Sequence, residues 1–232
     1  MSEQLKRQAA AMALAGIKPG MRLGLGTGST ARHFVDLLGQ QVAAGFECLC
    51  VPTSEATAQQ ARSLNIPLSD LETLDRLDVT VDGADEIDPQ LNLIKGAGGA
   101  LLREKIVAAA SDAMIVIADG SKLVQTLGRF PLPIEVNLFG RGATRRAIAD
   151  VMARHGAEGE LRLRETAPGS PYMTDGGHLI LDAFFGRISR PEALSRDLLD
   201  IAGVVQHGLF LKMCKTAYVA TADGVETLSA GN

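Results

Sequence analysis

The chain has 232 residues, 46% hydrophobic and 22% charged, which suits one large domain or two small ones with a real core rather than a disordered chain. Its formal net charge of -4 leaves no basic surplus to neutralise a phosphate backbone, so nucleic acid is not an expected partner. Apolar runs such as Met114 to Ala118 fall far short of the about 20 residues a spanning helix needs, so no membrane partner is expected.

MSEQLKRQAAAMALAG places Glu3, Lys6 and Arg7 before small apolar residues and reads as an amphipathic helix rather than a secretory signal. From Met21 to Ala118 short aliphatic runs alternate with helical patterns, the signature of βαβ units around a parallel sheet. Strands are expected at Arg22 to Leu25, Glu47 to Val51, Val79 to Val81 and Met114 to Ala118. Helices are expected at Thr30 to Leu38, Glu55 to Leu64 and Ala100 to Ala110. Cys48 and Cys50 share one face of the second strand. With Cys214 they make an odd set of three, expected to pack as small hydrophobes in a reducing, cytoplasmic compartment.

After Gly128 the pattern changes. FPLPIEV packs two prolines into an extended piece that a central strand is not expected to hold, and a boundary is placed there. Beyond it come helices at Ala143 to Arg154 and Pro191 to Ile201, with strand-like segments at Leu161 to Arg164, His178 to Phe184, Gly203 to Phe210 and Ala217 to Ala220. The expected architecture is α/β: a parallel-sheet domain of residues 1–128 and 208–232, with a smaller α+β domain of residues 129–207 inserted.

Four strand-to-helix junctions carry polar groups. In GLGTGST the glycines admit an anion to backbone amides at a helix start, with Thr27, Ser29 and Thr30 beside Gly28. The same segment fits a dinucleotide fingerprint at Gly26, Gly28 and Ala31. However, the second strand ends in VPTSEAT, where Thr53, Ser54 and Thr57 stand and Glu55 opens the next helix, so the ribose-binding acid is missing. A purely structural turn is the third reading. VDGADEID crowds Asp82, Asp85, Glu86 and Asp88 at a strand end, either as a working cluster, a solvated turn or a Mg²⁺ site. KGAGGALLREKIV sets Lys95 before a glycine loop and Glu104 early in a helix; IADGSKLV presents Asp119, Ser121 and Lys122. An isolated glutamate or lysine at such places is ordinarily a surface residue. Together, however, an anion cradle, two lysines and several carboxylates form the set that aldose to ketose isomerisation needs. The histidines, His33, His155, His178 and His207, are scattered without metal-ligand spacing.

These segments resemble the type A ribose-5-phosphate isomerases. The match runs through GTGST, DGADEID, KGAGGALLREKI, ADGSK, FPLPIEV, MTDGGHLILD and GVVQHGLF, nearly the whole chain, and the DGADE and K-G-x-G-x-x-L-x-R-E-K pair is the specific part. The resemblance implies a Rossmann-like domain with an inserted α+β domain, a homodimer or homotetramer, a sugar-phosphate substrate in the pentose phosphate pathway, and no metal or organic cofactor. It makes Glu104 the proton-shuttling base, Asp82 and Asp85 helpers in ring opening and in moving hydroxyl protons, and Lys95 the oxyanion stabiliser. Thr27, Gly28, Ser29, Thr30, Gly83, Ala84, Gly96, Ala97, Gly98 and Lys122 would bind substrate, with Lys6 reaching in from the first helix. Two residues depart from the family pattern: Ala97 replaces a common glycine and His178 a common asparagine. Sugar-phosphate-responsive repressors and NAD-linked oxidoreductases are the rival classes. The first lacks a basic DNA-reading module before Met21 and the second lacks its ribose acid.

Overall fold

The computed structural model describes residues 3–229; Met1, Ser2 and the last three residues, which the sequence reading included in its first helix and outer domain limits, lie outside them. The chain runs α1 (Glu3–Ala15), β1 (Arg22–Leu25), α2 (Ser29–Ala43), β2 (Leu49–Pro52), α3 (Glu55–Ser63), β3 (Val79–Asp82), β4 (Glu86–Ile87), β5 (Leu93–Ile94), α4 (Leu101–Ala109) and β6 (Met114–Asp119). It continues through β7 (Leu132–Val136), α5 (Arg141–Arg154), β8 (Leu161–Leu163), β9 (Glu165–Ala167), β10 (Ser170–Pro171), β11 (Leu179–Ala183), α6 (Pro191–Leu199), β12 (Val204–His207), β13 (Leu209–Phe210), β14 (Cys214–Thr221) and β15 (Gly224–Ser229).

Two compact units are built from these elements. The first comprises the chain up to Ala84, Arg103–Leu123 and the chain from Lys212 on; the second comprises Asp85–Leu102 and Val124–Leu211. The first holds a six-stranded sheet in the order β15-β14-β6-β3-β1-β2. Every pairing in it is parallel except β14 with β15. Its central strands β3 and β6 are short, largely aliphatic runs buried on both faces, as parallel strands inside a sheet require. Leu23, Leu25, Val81 and Ile117 meet Phe34 and Leu38 of α2 and Ala9, Ala10 and Ala13 of α1 in one core. The alanines on α1 let it lie close against α2, β6 and β14. Between β1 and β3 the strand order reverses direction, and at such a switch point the loops leaving the strands part and leave a crevice for ligands.

The second unit holds a four-stranded antiparallel sheet, β12-β7-β11-β8, under α5 and α6, together with a three-stranded sheet, β13-β5-β4. Ile134, Val136, Ile148, Val151, Leu181, Leu194 and Leu198 form its core. The expectation about FPLPIEV is corrected here: β7, with Pro133 inside it, is a central strand flanked by β11 and β12. The carbonyl of Pro133 accepts from Gly208 N at 2.8 Å. In an antiparallel ladder a residue's N–H and C=O point the same way. The donor that proline lacks would therefore face Gly208, past the end of β12, where no ladder bond is needed. GVVQHGLF is likewise not one strand. It breaks at Gly208, so that β12 joins one sheet and β13 the other. A β-carbon on Gly208 would sit 2.1 Å from the Lys95 carbonyl oxygen, which is why the crossing point has no side chain. Residues 85–102, kept with the first domain in the sequence reading, pack in the second unit because β4 and β5 pair with β13.

All three cysteines are free and buried. The Cys48 and Cys50 sulfurs stand 3.7 Å apart, in keeping with two side chains on one face. Burial pushes the Cys214 thiol up to about 12, and Cys50 is raised by its hydrogen bond with Cys48 and by burial. Since the thiolate is the reactive species, Cys50 and Cys214 should resist iodoacetamide in the native protein at pH 8 and react only on unfolding. Mass spectrometry showing either one alkylated within minutes under native conditions would contradict this packing.

Candidate active site

The first unit brings three junctions to one end of its sheet. Gly28, with φ of 114°, precedes α2 and caps it without a side-chain hydrogen bond, so the first-turn amides and the side chains of Ser29 and Thr30 remain for an anion. Thr27 joins the loop after β1 to the loop after β2. Its hydroxyl lies 2.7 Å from Thr53 Oγ1, 2.8 Å from Ser54 Oγ and 3.1 Å from Thr57 Oγ1. Thr57 in turn donates to the Gly26 carbonyl at 3.0 Å. The hydroxyls of VPTSEAT, standing where a dinucleotide fold needs an acid, thus tie the loop after β2 to the loop after β1. Glu55 opens α3 and pairs with Arg103 at 2.9 Å.

Asp82 ends β3 with no exposed surface. Its Oδ1 accepts from Thr27 N at 3.2 Å and Gly83 N at 2.7 Å. A β-carbon on Gly26 would stand 2.2 Å from that oxygen, so this loop position is glycine for want of space. Glu104 lies in the first turn of α4 and is 3% exposed. The surface reading of this residue is therefore wrong: a glutamate is rarely so buried without a task or a partner. At the end of β6 the Asp119 carboxylate accepts from Ser121 N (3.1 Å) and Ser121 Oγ (2.5 Å), closing the short turn Gly120–Lys122 that ends on Lys122. Gly83 and Ala84 are half-buried. Lys6 is buried on α1 with its ammonium 2.6 Å from Glu3 Oε1.

The second unit carries the remaining residues. Lys95 is 2% exposed, its Nζ 5.4 Å from the centre of the Phe210 ring, a cation–π distance. The loop that follows is left-handed at Gly96 (φ 111°) and Gly99 (φ 77°) but not at Ala97, which is why alanine is admitted there. Ala97 N donates to Asp85 Oδ2 at 2.9 Å. Arg164 and Tyr172, which sequence reasoning did not single out, donate to carbonyls of the same loop. The one signal in the sequence is a charged Asp182 in the otherwise apolar LILDA, opposite an arginine-containing strand.

The acidic cluster does not converge on one point. Glu86 accepts from Gly128 N at 2.7 Å and Phe130 N at 2.6 Å. Asp88 accepts from the amides of Gln90 and Asn92 and from the Asn92 side chain. Among the described residues no group of three His, Cys, Asp or Glu side chains is placed to hold a metal ion. His178, the other departure from the family pattern, is bound with Thr174 to the buried Glu135.

Comparison with known proteins places this geometry. The fold is that of solved pentose-phosphate isomerases. A D-ribose-5-phosphate isomerase in complex with phospho-erythronic acid superposes with a TM-score of 0.91 at 38% identity, over 99% of this chain and 100% of that one. The Plasmodium falciparum ribose 5-phosphate isomerase gives 0.92 at 36% identity, with full coverage of both. Residues 49–224 match the model of ribose 5-phosphate isomerase A (phosphoriboisomerase A). The ribose-5-phosphate isomerase A of Bradyrhizobium diazoefficiens is 59% identical over 97% of this chain and 95% of its own. The chain belongs to the ribose 5-phosphate isomerase A family.

The Glu86 contacts yield a test of the cluster's division of labour. Glu86→Ala removes the acceptor of two backbone amides, each costing about 1–3 kcal/mol when left unpaired. A loss of about 2–6 kcal/mol in urea unfolding is expected. A loss below about 1 kcal/mol would mean that this carboxylate does not hold the 128–130 segment.

Proposed function

We propose that the protein is a cofactor-independent aldose–ketose isomerase that interconverts D-ribose 5-phosphate and D-ribulose 5-phosphate through an enediolate, as a step of the non-oxidative pentose phosphate pathway. The observation that carries this is the DGADE and KGAGGALLREK pair within a family member of nearly full length. A relative that binds a phosphorylated four-carbon sugar acid supports the same substrate class. In the proposed mechanism the amides of α2's first turn, with Thr27, Gly28, Ser29, Thr30 and Lys122, hold the anionic end of the sugar. Asp82 and Asp85 assist ring opening and pass protons between hydroxyl oxygens. Glu104 takes the proton from carbon 2 of the open aldose; the electron pair forms the carbon–carbon double bond and the carbonyl oxygen becomes an oxyanion beside Lys95. Glu104 then returns the proton to carbon 1, giving the ketose. The hydrogen moves as a proton within one molecule, so the balance requires no external oxidant or reductant. Gly83, Ala84, Gly96, Ala97 and Gly98 complete the substrate contacts in this reading. Lys6, whose ammonium pairs with the largely exposed Glu3, belongs to the substrate-binding set of the same proposal.

A cytoplasmic location and a homodimer or homotetramer belong to the same proposal. Three buried free thiols suit a reducing compartment, and among the described residues no helix is long and apolar enough to cross a membrane.

Purified protein dialysed against EDTA, with no nicotinamide added, is expected to convert ribose 5-phosphate at its undialysed rate. Loss of more than half the rate, restored by Mg²⁺ or Zn²⁺, would overturn the cofactor-free reading. Glu104→Gln keeps size and hydrogen bonding but removes the base. General base catalysis is worth about 10² to 10⁴ in rate, so kcat should fall at least about 10²-fold. Deuterium uptake from heavy water into the sugar phosphate, followed by NMR, should vanish with it. Exchange at the wild-type rate in this variant would assign the base elsewhere.

A further inference from the structure

We propose that Arg164, anchored by Asp182, is a positioning residue that clamps the Gly96–Ala97 peptide unit and through it orients the Asp85 carboxylate; this rests on the isomerase reading above. The guanidinium of Arg164 is held in a two-point pair with Asp182, Nε to Oδ2 at 2.9 Å and Nη2 to Oδ1 at 2.5 Å, with both side chains largely buried. Its remaining nitrogen, Nη1, donates to the carbonyl oxygens of Gly96 at 2.7 Å and Ala97 at 3.1 Å. The other end of the Gly96–Ala97 peptide is the Ala97 N–H, which donates to Asp85 Oδ2 at 2.9 Å. A trans peptide is planar, with its C=O and N–H pointing oppositely. Fixing the carbonyl therefore fixes the direction of the N–H. One peptide unit thus lies between a cation on its oxygen and an anion on its hydrogen, an arrangement in which each hydrogen bond polarises and strengthens the other.

The loop needs such a hold. Gly96 and Gly99 adopt left-handed backbone, and glycine leaves the chain free to leave it. Tyr172 adds a hydroxyl contact of 3.3 Å to the Gly98 carbonyl and is tied back to the Arg164 carbonyl through its own N–H at 2.9 Å. Lysine could not replace Arg164, because a single ammonium cannot face a carboxylate with two parallel donors and still bond two carbonyls in a fixed plane. Arg164 itself is given no contact with substrate. Its effect must appear through Asp85, in turnover rather than in affinity.

The test is a double-mutant cycle on ribose 5-phosphate isomerisation, begun with the wild type. Arg164→Gln is expected to lower kcat about tenfold or more while KM changes less than about threefold. In an Asp85→Asn background it should add less than about twofold, since two residues acting as one unit are not additive. Backbone hydrogen exchange at Ala97 should quicken in Arg164→Gln by more than the change in global stability accounts for. Should the unpaired Asp182 prevent folding, Arg164→Met with Asp182→Leu removes both charges together, a change that buried pairs tolerate, and the same kinetics apply. Additive losses, a loss confined to KM, wild-type kcat in the folded double variant, or Asp85→Asn itself at wild-type turnover would each overturn the clamp. A wild type that leaves ribose 5-phosphate unchanged would instead fail the isomerase reading, and is seen before any variant is made.

Discussion

A carboxylate with no exposed surface ends β3, and the loops around it are arranged so that it can stay there. Burying an ionised carboxylate costs several kcal/mol unless N–H donors replace its water. Asp82 takes two such donors, one from Gly83 beside it and one from Thr27 on the next strand's loop. The second brings that loop so close that position 26 must be glycine. Thr57 grips the same position's carbonyl, and Thr27's hydroxyl joins those of Thr53 and Ser54. The loops after β1, β2 and β3 are thereby locked together. The helix start at Gly28 is fixed as a consequence.

The four acids from Asp82 to Asp88 illustrate how like charges share a short segment. Each accepts from its own backbone amides, in different directions, which offsets the cost of taking each charge out of water. Glu86 and Asp88 act as acceptors that shape the chain, one for the 128–130 segment and one for the turn before β5. Asp82 ends a strand of the first unit, and Asp85 accepts from the loop of the second. From the sequence these four looked alike. Only the donors distinguish them.

The parallel strands were legible because each is an aliphatic run bounded by glycine or polar residues, and β1, β3 and β6 fall within a residue of their expected limits. β15 was not, because GVETLS is a largely exposed edge strand with no buried face to impose a pattern. The two-residue strands β4 and β5 are too short to carry any period. The FPLPIEV error has a specific cause: proline harms a ladder only if its missing donor faces a partner, and that direction is set by pairing, which sequence does not state. Among the site residues, the motif glycines and carboxylates were visible as local clusters. The use of Thr27's hydroxyl and the contact of Arg164 with Gly96, 68 residues away, were not, because both join segments that only folding brings together.

The KGAGG loop shows why a glycine-rich segment can serve catalysis that demands precision. Two of its positions require left-handed backbone, so glycine is forced there, and each glycine adds conformational freedom that folding must remove. Where the backbone is ordinary, at position 97, alanine restricts the unfolded chain at no steric cost. The rest of the rigidity has to come from outside the loop. It does: Lys95 N donates to the Gly208 carbonyl at 2.9 Å, Ala97 N is held by Asp85, and the carbonyls of Gly96, Ala97 and Gly98 by Arg164 and Tyr172. Those five contacts fall on four peptide groups, and the Gly96–Ala97 group is held at both ends. The flexibility that glycine supplies is thus confined to choosing the conformation, and the surrounding strands decide that it is kept.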